Sequence, residues 1–218
     1  MIRKIIKKLI SYLYKIKGVI KYYLIKFDLY RIKHDKINLC SGSILLKDYC
    51  NIDIYNRADI NIDLEKKLLP FRDSSASVIV CISAINYFTR DRGERIIKDV
   101  YRVLKTDGIA RFSTQDLELI AKKYIDRDKD FFFQKSVNGK ERFAGETFCD
   151  KFNSWFYGYA VAKNKGCKYF YDYETLRLVF EKAGFKIINN KKYMESTLNN
   201  IDQIDNRPDQ MFFLEAVK

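Results

Sequence analysis

The stretch Lys36–Tyr55, KINLCSGSILLKDYCNIDIY, decides how the rest of the chain is interpreted. An apolar, strand-like segment runs into a turn of small residues, Ser41–Gly42–Ser43, and a second strand-like segment ends near a single acid, Asp53. Gly42 is the residue of this turn that can adopt a positive φ at little cost. The pattern predicts two neighbouring strands whose carboxyl ends form a candidate binding edge, because ligands of open α/β sheets lie there.

Beyond this stretch, short apolar segments alternate with helical patterns, which indicates an α/β sheet. The segment 77–83 is almost entirely apolar, as expected for a parallel strand covered on both faces. The last two strand-like segments are separated by a polar loop and can pair as an antiparallel edge. We therefore predict a doubly wound, mostly parallel sheet of seven strands, from segments 36–40, 51–55, 59–62, 77–83, 108–114, 186–193 and 209–218.

Helix boundaries are predicted from capping residues. Asp91 with Glu94 three residues later resembles a capping box, and the turn Thr106–Asp107–Gly108 is expected to end that helix. A further helix is predicted over 116–126. Asp172 is expected to cap the last long helix, which ends near Gly184.

The basic charge is concentrated at the N-terminus. Residues 1–36 contain eleven Lys or Arg and two Asp, so they carry +9 of the net charge of +13. We expect residues 1–34 to form a basic amphipathic helical arm and residues 35–218 to form the domain. The longest uninterrupted apolar run of the arm, YYLI, is too short to span a bilayer.

Two interpretations of the arm remain open. Its apolar stripe either lies in an anionic membrane interface or packs on the domain while lysines face water. Nucleic acid is a less favoured partner, because a basic arm alone provides only unspecific attraction to phosphate. The predicted stripe consists of Ile5, Leu9, Tyr12, Leu13, Ile16, Ile20, Tyr23, Leu24 and Phe27.

The cysteines and the single histidine exclude several classes of site. Five cysteines without a C-x-x-C pair make a disulfide framework or a metal site unexpected and suggest reduced thiols in a cytoplasmic protein. His34 lies in the arm, so a Ser–His–Asp or Cys–His hydrolase is not expected.

The ordered segments resemble a class I methyltransferase dependent on S-adenosylmethionine, and more narrowly the small bacterial type-11-like methyltransferases associated with polysaccharide genes. INLCSGS stands where that family has L-N-L-G-C-G, and NIDIYNRADINIDLEKKLLPF is similar to N-V-D-x-x-x-x-A-D-x-x-x-D-L-x-x-x-L-P-F. DVYRVLKTDGIARFSTQDLELIAKKY resembles the helix, turn and fifth strand that usually read R-V-L-K-P-G-G and then P-D-L. The resemblance extends through KYFYDYETLRLVFEKAGF to the C-terminus.

The resemblance implies S-adenosylmethionine as cofactor, with the turn after the first strand beneath its methionine portion. Asp53 would accept the ribose hydroxyls, and Asp63 of the D-L pair would contact the adenine amine. A nicotinamide enzyme is disfavoured, because Asp53 follows Gly42 by 11 residues rather than about twenty. The implied cofactor-binding residues are Cys40, Ser41, Gly42, Asp53, Asp63, Leu64 and Ser83.

Four segments depart from the family pattern, and one of them is Thr106–Asp107–Gly108 in place of the usual P-G-G turn. Cys40 replaces the first glycine and narrows the cofactor passage, Asn86–Tyr87 replaces the E-H of L-E-H, and Cys167 replaces the histidine of H-K-Y. These departures leave two functions open. One is methyl transfer to a small-molecule or saccharide acceptor, which could be lipid-linked; the other is a catalytically silent fold that acts as a membrane-peripheral binding subunit.

A hydroxyl acceptor benefits from a general base, and no histidine is available for this role. The insert 128–170 breaks the strand–helix rhythm and is typical of a lid or binding loop. Its aromatic residues Phe152, Trp155, Phe156, Tyr157 and Tyr159 either stack on a sugar or form the core of the lid. The catalytic candidates in and after this insert are Glu146, Asp150, Tyr157, Tyr169 and Asp172.

Overall fold

The computed structural model describes residues 2–30, 34–55, 57–136, 138–158 and 166–218, with only the backbone described at positions 2–4, 7 and 15. Seven strands form one sheet in the order β3-β2-β1-β4-β5-β7-β6. The strands are β1 (Lys36–Leu39), β2 (Cys50–Asp53), β3 (Ile60–Asn61), β4 (Ala76–Ile82), β5 (Leu104–Gln115), β6 (Ile187–Lys191) and β7 (Met211–Val217).

The first five strands are parallel, whereas β7 pairs antiparallel with both β5 and β6. This arrangement confirms the predicted mostly parallel sheet with an antiparallel C-terminal edge. The topological switch point lies between β1 and β4, because β2 and β3 extend from β1 in one direction while β4 and β5 extend in the other.

The described helices are α1 (Ile2–Lys26), α2 (Arg90–Val103), α3 (Leu117–Ile125), α4 (Lys129–Phe132), α5 (Phe148–Tyr157), α6 (Tyr173–Ala183) and α7 (Ile201–Ile204). Asp172 caps α6 by accepting a hydrogen bond from Thr175 N at 2.7 Å, and Gly184 ends this helix with a φ of 116°. Both features confirm the predicted bounds of α6.

Two predicted boundaries around α2 are wrong. The residue that caps α2 is Thr89 rather than Asp91, because Thr89 has the extended backbone and its side chain accepts from Arg92 N. The predicted turn 106–108 lies inside β5, because Leu104 already pairs with Ala76. A register shift between Ala76 and Val78 accommodates the extra residues as a bulge.

The two faces of the sheet are covered by different kinds of structure. Ile79 and Cys81 of β4 belong to the main core, which includes buried residues of α2 and α6. Val78 and Val80, on the opposite face, pack with residues of two connecting segments: Leu46, Tyr49, Leu198 and Ile204.

The connection from β1 to β2, residues 40–49, is described throughout and contains turns but no helix. Two buried asparagines hold this connection instead. Asn38 Nδ2 donates to Ile44 O and to Asn51 Oδ1, both at 2.9 Å, and Leu46 N donates to the same Asn51 oxygen at 2.9 Å. Side chains of β1 and β2 thus position the loop that begins with Cys40.

Helix α1 packs on the sheet edge with a different face from the predicted stripe. Gly18, Tyr22 and Ile25 are buried, and Tyr22 Oη donates to Leu68 O at 3.3 Å. A Cβ at position 18 would collide with the side chain of Asn61, so glycine permits this close approach. Of the two interpretations left open, packing of the whole stripe on the domain is therefore wrong. Eight of its nine residues are more than 40% exposed, namely Ile5, Leu9, Tyr12, Leu13, Ile16, Ile20, Tyr23 and Phe27.

The insert 128–170 has its own hydrophobic core. Trp155 and Phe156 are fully buried there, Phe170 stacks on both rings, and Trp155 Nε1 donates to Gln210 Oε1 at 3.0 Å. The buried aromatic residues therefore form the core of the insert rather than a sugar platform. Tyr157 is exposed, and Tyr159 lies outside the described residues.

Candidate functional site

A cavity of 240 Å³ lies at the carboxyl ends of β1, β2 and β4, which is the switch point of the sheet. All seven residues that the sequence selects for cofactor binding line this one cavity. The complete lining comprises residues 40–44, 53–55, 62–65, 82–84, 87–88 and 206–207.

Asp53, the last residue of β2, shapes the turn after β1. Its Oδ2 accepts from Gly42 N at 2.8 Å, and its Oδ1 accepts from Tyr55 N at 2.9 Å. Each carboxylate oxygen can accept a second hydrogen bond, so Asp53 keeps acceptor capacity for a pair of hydroxyls. Asp53 is only 8% exposed, so its carboxylate oxygens lie in a low-dielectric part of the cavity wall.

Cys40 and Gly42 both adopt left-handed backbone conformations, with φ of 56° and 55°. The conformation suits Gly42, whereas for a cysteine it is unusual and costs about 1 kcal/mol. The Cys40 side chain packs against the main core. A hydrogen bond with Cys81, burial and the nearby Asp53 carboxylate hold the pKa of the Cys40 thiol well above its ordinary value. Cys40 thus has a backbone conformation that is typical of glycine, and its neutral thiol borders the cavity.

Asp63 and Leu64 follow β3 and form another wall. Asp63 Oδ1 accepts from Glu65 N at 3.1 Å, and its carbonyl accepts from Lys66 N and Lys67 N at 3.0 Å. Leu64 is buried, and its carbonyl accepts from Arg92 Nε. Glu65, next in the chain, forms an ion pair with Lys168 and so connects this wall to the end of the insert 128–170.

Ser83 follows β4 and also has a left-handed backbone, with a φ of 60°. Its amide donates to Ser113 O at 2.9 Å, and its hydroxyl accepts from Arg207 Nη1 at 2.8 Å. Arg207 reaches the cavity from the loop between β6 and β7. Strained backbone at Cys40 and Ser83 on the two sides of the switch point is typical of a functional site.

Two of the four departures from the family pattern contact each other. Asn86 Nδ2 donates to Cys167 Sγ and to Gln115 Oε1, both at 2.9 Å, and the Asn86 carbonyl accepts from Lys168 N at 2.8 Å. Burial raises the pKa of Cys167 to about 11, so this thiol is neutral. Asn86 and Cys167 therefore form a neutral buried contact that attaches the end of the insert 128–170 to the segment after β4.

The five catalytic candidates do not line the cavity. Thr147 is the N-cap of α5, and Asp150 completes a capping box with it. Hydrogen bonds from Thr147 lower the pKa of the Asp150 carboxyl, and Asp172 caps α6. Glu146 and Tyr157 are exposed. Tyr169 contacts the segment after β4, because its amide donates to the carbonyl of Asn86 at 3.2 Å, beside the cavity residue Tyr87. A catalytic role for any of the five stays a prediction.

The donor set of this cavity fits S-adenosylmethionine. Asp53 offers acceptors for hydroxyls, and a Cβ on Gly42 would find no atom within 4 Å, so the turn borders open space. Ser41 Oγ and Asn206 Oδ1 are buried without a hydrogen-bond partner among the described residues, and a bound polar group would satisfy them. The cofactor supplies an electrophilic methyl group on a sulfonium, and the chain binds, aligns and excludes water.

Sequence reasoning missed Arg207, Asn206 and Tyr87 as lining residues. Tyr87 lies beside predicted Ser83 and could have been found from that proximity. Asn206 and Arg207 are more than 120 residues from Ser83 in the chain, in a segment that reads only as a polar loop. No local signal of the sequence points to them.

Comparison with known proteins gives the class of the domain. Residues 47–112 match a family model described as a methyltransferase domain, and no curated protein matches the chain. A crystal structure of a SAM-dependent methyltransferase from Archaeoglobus fulgidus is similar, with a TM-score of 0.51 and 13% identity over 91% of this chain and 93% of that one. A possible histamine N-methyltransferase from Thermotoga maritima is 16% identical over 99% and 97% of the two chains, with a TM-score of 0.48.

The fold is thus the Rossmann-like methyltransferase fold, as the Archaeoglobus structure shows. The matched domain and the cavity at the switch point support an S-adenosylmethionine-dependent methyltransferase. The alternative of a catalytically silent subunit finds no support in these comparisons.

Proposed function

We propose that the protein transfers the methyl group of S-adenosylmethionine to a saccharide acceptor carried on a lipid. The observation that carries the methyl-transfer part is the single cavity lined by all seven residues selected from the sequence. The saccharide acceptor rests on the resemblance to methyltransferases associated with polysaccharide genes. Tyr169 is the residue we propose for orienting the acceptor, since it lies beside Asn86 and Tyr87.

Calorimetry with S-adenosylmethionine and S-adenosylhomocysteine tests the cofactor site. We expect Asp53→Asn to weaken the binding of both ligands about 10-fold to 100-fold, because hydrogen bonds to a charged group contribute about 1.5–3 kcal/mol. Asp91→Asn, at an exposed position of α2, is the matched control and should bind like the wild type. Absence of binding by the wild-type protein at millimolar ligand would contradict the proposed function.

The acceptor is tested with radiolabelled S-adenosylmethionine and a lipid-linked saccharide extract. Label that enters the solvent-extractable lipid fraction supports the proposal, and label confined to the water-soluble fraction contradicts the lipid carrier. We expect Tyr169→Phe to reduce turnover while the affinity for S-adenosylhomocysteine stays unchanged.

We further propose that α1 attaches the protein to the inner, anionic membrane surface. Within the described residues, no helix combines the length and apolar character that crossing a bilayer requires. Residues 2–26 contain eight Lys or Arg and no acid. Large apolar side chains between these basic residues are exposed and lack a covering partner in the described chain: Ile5, Ile6, Leu9, Ile10, Tyr12, Leu13, Tyr14, Ile16 and Ile20. A helix of this composition binds interfaces through apolar insertion and attraction to anionic headgroups.

Vesicle sedimentation tests this attachment. We expect the protein to pellet with vesicles of phosphatidylcholine and phosphatidylglycerol and to remain in the supernatant with phosphatidylcholine alone. Leu9→Gln combined with Leu13→Gln should abolish pelleting, whereas Leu178→Gln, on an exposed face of α6, should not. Wild-type protein that stays in the supernatant with anionic vesicles would refute the attachment.

A further inference from the structure

The cavity has an uneven distribution of charge. Among the described residues that line it, Asp53, Asp63 and Glu65 are acidic and Arg207 is the only basic one. The acids lie at the end of β2 and after β3, whereas Arg207 contacts Ser83 after β4. The positive end of the cavity is therefore on the β4 side of the switch point.

In doubly wound folds, a helix after the first strand presents its amino terminus to the anionic part of a ligand. This chain has no helix there, since residues 40–49 form only turns and extended chain. The loop between β6 and β7 covers that face instead, with Leu198 and Ile204 packed on Leu46 and Val80. The same loop carries Arg207 into the cavity.

A buried ion pair anchors this loop immediately before Arg207. Asp205 accepts from Arg111 of β5 through two contacts, at 3.1 Å from Nε to Oδ1 and 2.5 Å from Nη2 to Oδ2. Both side chains have no exposed surface. Arg207 itself adopts a φ of 52° and donates from Nη1 to Ser83 Oγ at 2.8 Å. A backbone conformation of this kind persists where its surroundings hold it, and the buried pair two residues earlier does so here.

We propose that Arg207 binds the carboxylate of the methionine portion of the methyl donor, in place of a helix amino terminus. This inference rests on the proposed function, because the ligand is S-adenosylmethionine. The guanidinium matches a carboxylate through parallel N–H groups. The turn of Cys40–Gly42, which the resemblance places beneath the methionine portion, lines the same cavity. Arg207 then determines specificity for a donor that carries an amino-acid end.

Calorimetry with two ligands tests the assignment. S-adenosylhomocysteine carries the amino-acid end, whereas 5′-methylthioadenosine has the same adenosine thioether without it. We expect Arg207→Gln to weaken S-adenosylhomocysteine about 10-fold to 100-fold and to leave 5′-methylthioadenosine within about twofold of the wild type. Arg207→Lys should lose less, because it keeps the charge without the planar fork.

Arg177→Gln removes one positive charge from an exposed position of α6 and should change neither affinity. If Arg207→Gln weakens both ligands equally, Arg207 only supports the loop, and the inference is wrong. If it weakens neither, the carboxylate lies elsewhere. Failure of the wild-type protein to bind either ligand would instead overturn the cofactor assignment, which separates the two proposals.

Discussion

Replacing Arg111 tests whether the buried ion pair with Asp205 holds the loop that completes the cavity. Arg111 has no exposed surface, and it also donates to the carbonyls of Glu195 at 3.1 Å and Lys192 at 3.3 Å, while Glu215 lies 3.7 Å away. Arg111→Met removes the only cation beside two buried acids, which then keep Met194 N and Ser196 Oγ as donors, and it leaves the two carbonyls without Arg111. We expect this substitution to lower the free energy of unfolding by about 3–5 kcal/mol.

Asp205→Asn should cost less, about 1–3 kcal/mol, because Arg111 keeps Glu215 and the two carbonyls as partners. The double variant should be more stable than the sum of the single effects predicts, by about 1–3 kcal/mol, since no charged Asp205 is left buried without Arg111. A domain has only about 5–15 kcal/mol of net stability, so these differences are readily measured.

The assay is urea unfolding followed by far-ultraviolet circular dichroism and by the fluorescence of Trp155, the single and fully buried tryptophan. Arg177→Met, at an exposed ion pair, should change stability by at most about 1 kcal/mol. An effect of Arg111→Met below about 1 kcal/mol, or strictly additive single effects, would refute the reasoning. Folded Arg111→Met protein should also bind S-adenosylhomocysteine more weakly, because its Arg207 loop has lost its anchor.

Three further outcomes are expected. Cys40→Gly should raise the affinity for S-adenosylhomocysteine several-fold in calorimetry, because it widens the cavity. The cavity volume of 240 Å³ is below the range of about 300–1,000 Å³ that is common for ligand sites. Unchanged or weaker binding would contradict the view that Cys40 narrows the passage. Hydrogen bonds from the Thr175 side chain and then from its amide lower the pKa of Asp172, so the contribution of Asp172 to stability is full above about pH 4 and is lost as the pH falls through the lowered pKa. Urea midpoints at pH 6, 4 and 3 should fall more for the wild type than for Asp172→Asn, and parallel profiles would exclude this contribution. At pH 8 an aromatic disulfide reagent should label exposed Cys149 first, because burial raises the pKa of Cys50 to about 12 and keeps that thiol protonated. A rapid phase of labelling that survives in Cys149→Ser would show that another thiol is accessible.

Much of the candidate site could be predicted from the sequence, because its residues follow strands. Cys40, Asp53 and Ser83 come directly after or at the end of a strand, and parallel strands bring their carboxyl ends to one edge. The predicted starts and ends of β1, β2 and β4 lie within two residues of those observed, so these residues were placed at the edge correctly. The caps of α6 were also predictable, since an N-cap acid and a terminal glycine act within a few residues.

The arm shows where periodicity is not sufficient. Apolar residues occur on most sides of α1, so the helical pattern alone does not select the buried face. The face that packs is chosen by Gly18, which permits close approach to β3, and by Tyr22, whose hydroxyl reaches Leu68. Both reasons depend on the partner surface and not on the helix.

Local pattern and strand order are enough to predict the class of fold, the edge of the sheet that carries the site and the residues that follow its strands. Tertiary packing is needed to establish how the face behind β1 is covered, that Asn86 and Cys167 meet, and that Arg207 enters the cavity. Each of these contacts joins segments more than 80 residues apart. Such contacts depend on the packing of the whole chain, since buried polar groups such as Arg111 and Asp205 fix a loop only when they meet.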